Sequence, residues 1–271
     1  MKRSLAVALA ALMVLGLACQ PHNHEAQAPN VIVAMEITIK SGNEDVQAFV
    51  AMPGEGRTTQ KGKGPFPGIL VIHEWWGLND WIKQNAEHFA QKGFVAIAPD
   101  LYHGKVATEP KVAQELMSGL PKDRALRDLK AAVDKLASTD GVQKDKIGCI
   151  GWCMGGGYAL QMSLNDPRVK SCVMCYGPVV TDLDKLKPLQ AKVLGIFGED
   201  DKGIPADKVR TFEQALKTAG KSVEKINIYK GAGHGFMRPD SAAMKNAAYN
   251  EKAANDAWQQ IDAFFVNTLK Q

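Results

Sequence analysis

A chain of 271 residues, 45% apolar and 23% charged, with a formal net charge of +4, has an ordinary globular composition and the length of a single α/β domain. So small a basic excess argues against a nucleic-acid partner, which calls for concentrated positive charge. Five cysteines are too few for a disulfide-built scaffold of this size.

The first 18 residues stand apart. Lys2 and Arg3 precede an unbroken apolar run from Leu5 to Ala18, which predicts an export signal and is short for a permanent membrane-spanning helix. Cys19 follows directly, where lipoprotein signals are cut and acylated. Gly16 and Leu17 stand in the reverse of the usual order for such a box, so three outcomes stay open: lipidation of Cys19, soluble release after Ala18, and a retained anchor. One acyl chain anchors weakly, so stable attachment requires further acylation. Loss of Lys2 and Arg3 lowers the charge from +4 to +2. Residues 19–30 read as a polar tether, with His22 and His24 as exposed linker residues rather than metal ligands. The expected organisation is an exported protein, periplasmic or held at a membrane through Cys19, with one monomeric domain over 31–271.

Two strand-like segments open that domain, Val31 to Lys40 and Val46 to Met52. The turn residues Ser41-Gly42-Asn43 between them predict an antiparallel hairpin. Pro53 to Pro65, rich in Gly and Lys, is a surface loop. Gly68 to Ile72 is continuously apolar, as in a strand buried on both faces. A helix is predicted from Asp80 to Lys92, closed by Gly93, then a strand from Phe94 to Ala98. Two helices follow, near 108–118 and 121–138, the second with Leu126, Leu129, Val133 and Leu136 on one stripe. Further strands fall at Lys146 to Ile150, Val169 to Cys175, Ala191 to Phe197 and Val223 to Tyr229. Helices are predicted at Gly155 to Asn165, after Pro205, and near 241–268 with Trp258, Ile261 and Phe265 on one face. A hairpin followed by repeated strand–helix units predicts an α/β fold: a mostly parallel central sheet with helices on both faces. In such sheets chemistry gathers beyond the carboxyl ends of the strands.

Cys149, Cys172 and Cys175 lie in strand-like runs and read as small core residues, with a disulfide as the alternative. Residues three apart on a strand face opposite ways, so Cys172 and Cys175 cannot share a ligand site, against a redox or zinc role.

Cys153 differs. Gly151-Trp152-Cys153-Met154-Gly155 joins a strand to a helix in the form of a nucleophile elbow, with Cys in place of Ser. The tight turn demands small residues two positions either side, and the helix start favours a thiolate and offers the Met154 amide to an oxyanion. A thiol nucleophile needs a base. After Cys153 the one histidine is His234, in Gly233-His234-Gly235 directly after a strand. The acid should follow the strand before that, where Glu199, Asp200 and Asp201 compete. Asp201, four residues before Pro205, has the commonest placement, with Asp200 the rival. Nucleophile, acid and histidine then occur in the chain order of an α/β-hydrolase.

These residues resemble the dienelactone hydrolase (carboxymethylenebutenolidase) family. The similarity covers nearly all of 31–268 and rests on His73-Glu74-Trp75-Trp76-Gly77, Ala98-Pro99-Asp100-Leu101-Tyr102, Gly151 to Gly156, the Asp201 turn, and Gly233 to Phe236. It implies a carboxylic ester hydrolase working on small esters or lactones with no metal or organic cofactor. It further implies that Glu74 contacts and tunes the thiol, that the Trp75 amide is the second oxyanion donor, and that Arg238 is one of two arginines holding a substrate carboxylate. Where the family places the other arginine, this chain has His103-Gly104-Lys105, which points away from dienelactone itself. Burial beside aromatic residues would raise the pKa of Glu74; a helper at the start of the next helix is its simpler role. Tyr102, Trp152 and Phe236 are expected around the substrate, though loop packing accounts for such aromatics equally well. The contrasting possibility is a non-catalytic envelope lipoprotein that keeps the fold as a binding module; the intact Cys, Asp and His set argues against it.

Overall fold

The computed structural model describes residues 31–55, 64–239 and 246–271. The expected leader, Cys19 and the tether lie outside the described residues. Eight strands form one sheet: β1 (Ile32–Ser41), β2 (Glu44–Pro53), β3 (Phe66–Ile72), β4 (Val95–Pro99), β5 (Val142–Trp152), β6 (Val169–Cys175), β7 (Lys192–Gly198) and β8 (Val223–Tyr229). Their spatial order is β1-β2-β4-β3-β5-β6-β7-β8. The β1–β2 hairpin is antiparallel and joins the sheet through an antiparallel β2–β4 pairing. From β4 to β8 every pairing is parallel.

Among the described residues seven helices accompany the sheet: α1 (Asp80–Gln91), α2 (Pro110–Ser118), α3 (Lys122–Ser138), α4 (Met154–Asn165), α5 (Leu183–Leu186), α6 (Ala206–Thr218) and α7 (Glu251–Leu269). One apolar layer joins the sheet to α3, α4 and α6 through residues such as Leu129, Val133, Leu160 and Phe212. The other joins it to α1 and α7 through Phe89, Ile261 and Phe265. The inner strands are therefore covered on both sides, which explains their unbroken apolar sequences. Among the described residues no helix is long and apolar enough to cross a membrane.

Two expectations need correction. The last helix begins at Glu251, because the Asn250 side chain accepts from the Ala253 amide at 3.1 Å and starts it there; 241–245 lie outside the described residues. The single turn α5, started by Asp182, had no periodic signal to announce it. Leu126 packs against the same layer as Leu129, Val133 and Leu136 but is only half-buried, because it also lines a cleft at the sheet edge. Cys149 and Cys172 stand side by side on β5 and β6 in one apolar layer, and Cys175 lies in the other. All three are free thiols.

Candidate active site

The turn between β5 and α4 holds Cys153 at φ 54° and ψ −120°. A non-glycine residue pays about 1–3 kcal/mol to stay there, and such strain collects at functional sites. The neighbours show why the conformation persists. A Cβ at Gly151 would run into the Gly155 carbonyl, and one at Gly155 into the Ile72 carbonyl. The Cys153 amide donates to the Cys175 carbonyl at 2.9 Å, tying the turn to β6. Cys153 is thus lifted above the sheet, half-exposed. The following amide, Met154, opens α4, where backbone N–H groups have no partner within the helix.

His234 and Asp201 arrive from the ends of β8 and β7. His234 Nδ1 lies 2.7 Å from Asp201 Oδ2. The other oxygen, Oδ1, accepts from the Gly203 and Ile204 amides at 2.8 and 2.9 Å. That carboxylate is buried yet fully engaged, and these hydrogen bonds outweigh desolvation and hold its pKa below the usual range. Asp200 is exposed, so the competition within the acidic turn resolves to Asp201. The His234 side chain is 41% exposed. Desolvation opposes its charge, but hydrogen bonds to Asp201 and Cys153, and the charges of both, push its pKa up to about 10. The imidazolium therefore persists well above neutrality. That charge favours the folded state fully below about pH 6.5 and fades as pH rises towards 10.

Glu74, just past the end of β3, is buried. Desolvation pushes its carboxyl up to about 7, only partly offset by the charges of Arg238 and His234 and by the Tyr176 hydroxyl. That hydroxyl donates to Oε1 at 3.4 Å. Arg238 Nε stands 3.4 Å from Oε2, an ion-pair separation that leaves Oε2 without a hydrogen-bond donor. Arg238 is itself buried and lies 5.7 Å from the Trp76 ring centre.

Two clefts meet at Cys153 and His234. One, about 370 Å³, is lined by Glu74, Trp75, Trp76, Arg238 and Asn246. The other, about 500 Å³, lies between α3, α4 and the loops after β6 and β7 and shares Met117 with the first. Trp75 and Arg238 line the first of these clefts with Cys153, and Met154 lines the second. Tyr102 is one wall removed, its hydroxyl 3.5 Å from Met154 Sδ, facing a separate cleft with His103 and Lys105. Trp152 and Phe236 depart from expectation. Trp152 is fully buried against Trp81 and Trp258, at ring separations of 5.1 and 5.9 Å, on the α1–α7 side of the sheet. Phe236 is fully buried against Tyr176 and Tyr229. Both support the site from beneath. No group of three or more His, Cys, Asp or Glu among the described residues could hold a metal ion.

The model of the dienelactone hydrolase family matches residues 55–269. The chain belongs to the dienelactone hydrolase family. It is 32% identical over 250 residues to a protein of Methylorubrum extorquens assigned as a carboxymethylenebutenolidase, covering 87% of this chain and 81% of that one. A crystal structure from Klebsiella pneumoniae, of a protein assigned as a dienelactone hydrolase, superposes with TM-score 0.76 at 31% identity over 88% of this chain and 99% of that one. A dienelactone hydrolase-like promiscuous phosphotriesterase from metagenomic libraries has the same TM-score at 23% identity, covering 88% of this chain and 98% of that one, which speaks for the fold alone. The chain is a hydrolase of ester or lactone bonds.

This family member carries two site residues that the sequence reading missed. Tyr176, at φ 39°, directly follows β6, donates to Glu74 and packs edge-on against His234 at 5.2 Å. Its position before Gly177-Pro178, at a strand's carboxyl end, was the available signal. His73 joins two loops: its Nδ1 lies 2.6 Å from the Glu74 carbonyl, and its Nε2 accepts from the Leu101 amide at 3.2 Å. The peptide leading to Trp75 is thereby fixed to the loop after β4.

The Glu74 environment predicts an unusual pH dependence. The folded enzyme holds this proton up to about pH 7, against an ordinary value of 4.5. Its stability should therefore fall as pH rises through that window, by about 3 kcal/mol at 1.36 kcal/mol per pH unit. Glu74→Gln removes the effect. Denaturant unfolding at pH 5 and pH 8 should show the wild type losing stability relative to that variant as pH rises. A parallel response of the two proteins would show that Glu74 is ionised throughout.

Proposed function

We propose that this enzyme cleaves small carboxylic esters or lactones through a Cys153–His234–Asp201 triad and a thioester on Cys153. One observation carries the reading: His234 pairs with Asp201 through Nδ1 at 2.7 Å and lines the same two clefts as Cys153, which sits on a strained strand-to-helix turn. Sγ attacks the carbonyl carbon, and the C=O electron pair moves to oxygen, where the Trp75 and Met154 amides receive it. Collapse expels the alcohol, which takes a proton from His234. The now neutral ring accepts a proton from water, the resulting hydroxide attacks the thioester, and thiolate departs to leave a free acid. Asp201 holds the ring in the tautomer these steps need.

Arg238 is the proposed contact for a negatively charged group on the substrate, with Glu74 balancing its charge until substrate arrives. Glu74 acts on the sulfur through His234 and the local charge. The features of residues 1–19 support an exported protein, periplasmic or lipid-anchored at Cys19. The catalytic reading is tested by alkylation: iodoacetamide should label Cys153 before the buried Cys149, Cys172 and Cys175, with activity lost in proportion to that label. Full activity after labelling of Cys153 would exclude it as nucleophile.

A further inference from the structure

The larger of the two clefts at Cys153 differs in chemistry from the one that holds Arg238. Leu120, Leu126, Val179, Val180 and Ile204 line most of it, with Lys122, Gln161 and Tyr158 as its side chains with polar groups apart from the catalytic pair. No carboxylate or guanidinium lines it among the described residues. Val179, Val180 and Ile204 belong to loops after β6 and β7 and are only half-buried. Loops at a sheet edge are ordinarily polar, and apolar groups in them stay wet unless something covers them. Their apolar atoms turn to the same cleft as Cys153, so a covering group would be continuous with the reacting carbonyl.

We infer that this apolar lobe binds a hydrocarbon arm of the ester, a medium-length aliphatic or arylalkyl group, while the Arg238 cleft takes the polar end. The inference rests on the hydrolase reading above and adds the substrate class. The volume suits it. At roughly 30 Å³ for a group the size of a water molecule, about 500 Å³ exceeds what a six- to eight-carbon chain needs, even with an open mouth. The smaller cleft, with its buried guanidinium, suits a compact polar group.

Two ester series test this with the full-length wild-type enzyme: acyl chains from acetyl to octanoyl on one alcohol, and alcohols from ethyl to octyl on one acid. Burial of a methylene is worth up to about fourfold in kcat/KM. One series should therefore climb at least tenfold between two and six carbons, then level. Val180→Trp, which fills the lobe, should abolish the climb, read as the ratio of hexanoyl to acetyl turnover within that variant; a climb kept by the variant would overturn the assignment to this lobe. Flat or falling profiles in both series, with the acetyl ester still hydrolysed, would overturn the hydrocarbon arm and leave the triad standing. Failure to hydrolyse any ester would overturn the triad reading and this inference together.

Discussion

Cys153→Ala should lower hydrolysis of a short activated ester by at least about 10,000-fold, because removal of the nucleophile collapses a set of groups that act as a unit. The remainder comes from binding and backbone oxyanion donors, which work without a nucleophile. Folding should survive, since the half-exposed thiol contributes little packing. The backbone supplies a control. Residue 153 sits at φ 54° and ψ −120°, where glycine is at ease and alanine is not. Cys153→Gly should therefore be equally inactive yet about 1 kcal/mol more stable than Cys153→Ala. Activity surviving in both variants would remove the nucleophile assignment, and equal stabilities would remove the strain.

Asp201→Asn should reduce kcat by about 10,000-fold, while Asp200→Asn leaves it near the wild-type value. The geometry separates the two carboxylates. Asp201 Oδ2 faces His234 Nδ1 and Oδ1 is anchored by the Gly203 and Ile204 amides, whereas Asp200 lies exposed. An asparagine amide at 201 would offer N–H or oxygen to Nδ1 and lose the charge that favours imidazolium. The His234 pKa, now held at about 10 partly by Asp201, should fall with it, by about 1–3 pH units. An NMR titration of the ring would record the fall. Equal losses in the two variants would show that the acidic turn acts by its overall charge rather than through one aimed carboxylate.

Much of this was readable in the chain itself, for physical reasons that differ from element to element. β3, β5, β6 and β7 are covered on both faces, so their apolar runs are unbroken and stand out. The elbow was readable because two close backbone approaches, at Gly151 and Gly155, admit no side chain. The competition between Asp200 and Asp201 was not readable, since spacing alone cannot say which carboxylate turns inward. Trp152 could have been placed correctly. It follows Ile150 by two along β5, and strand alternation sends both to the α1–α7 layer, away from the site. The start of α7 was obscured because the Ala-rich stretch before Asn250 favours helix by composition, and only the Asn250 cap marks the boundary. Tyr176 escaped notice because its role depends on Glu74 and His234, both distant in sequence.

Covalent chemistry at residue 153 is most directly tested by intact mass measurement after rapid acid quench, using an ester whose thioester hydrolyses slowly. A transient mass increase equal to one acyl group, mapped by fragmentation to Cys153 and absent from Cys153→Ala, is the expected outcome. Steady turnover with no acyl adduct at any quench time, or an adduct on a different residue, would contradict it.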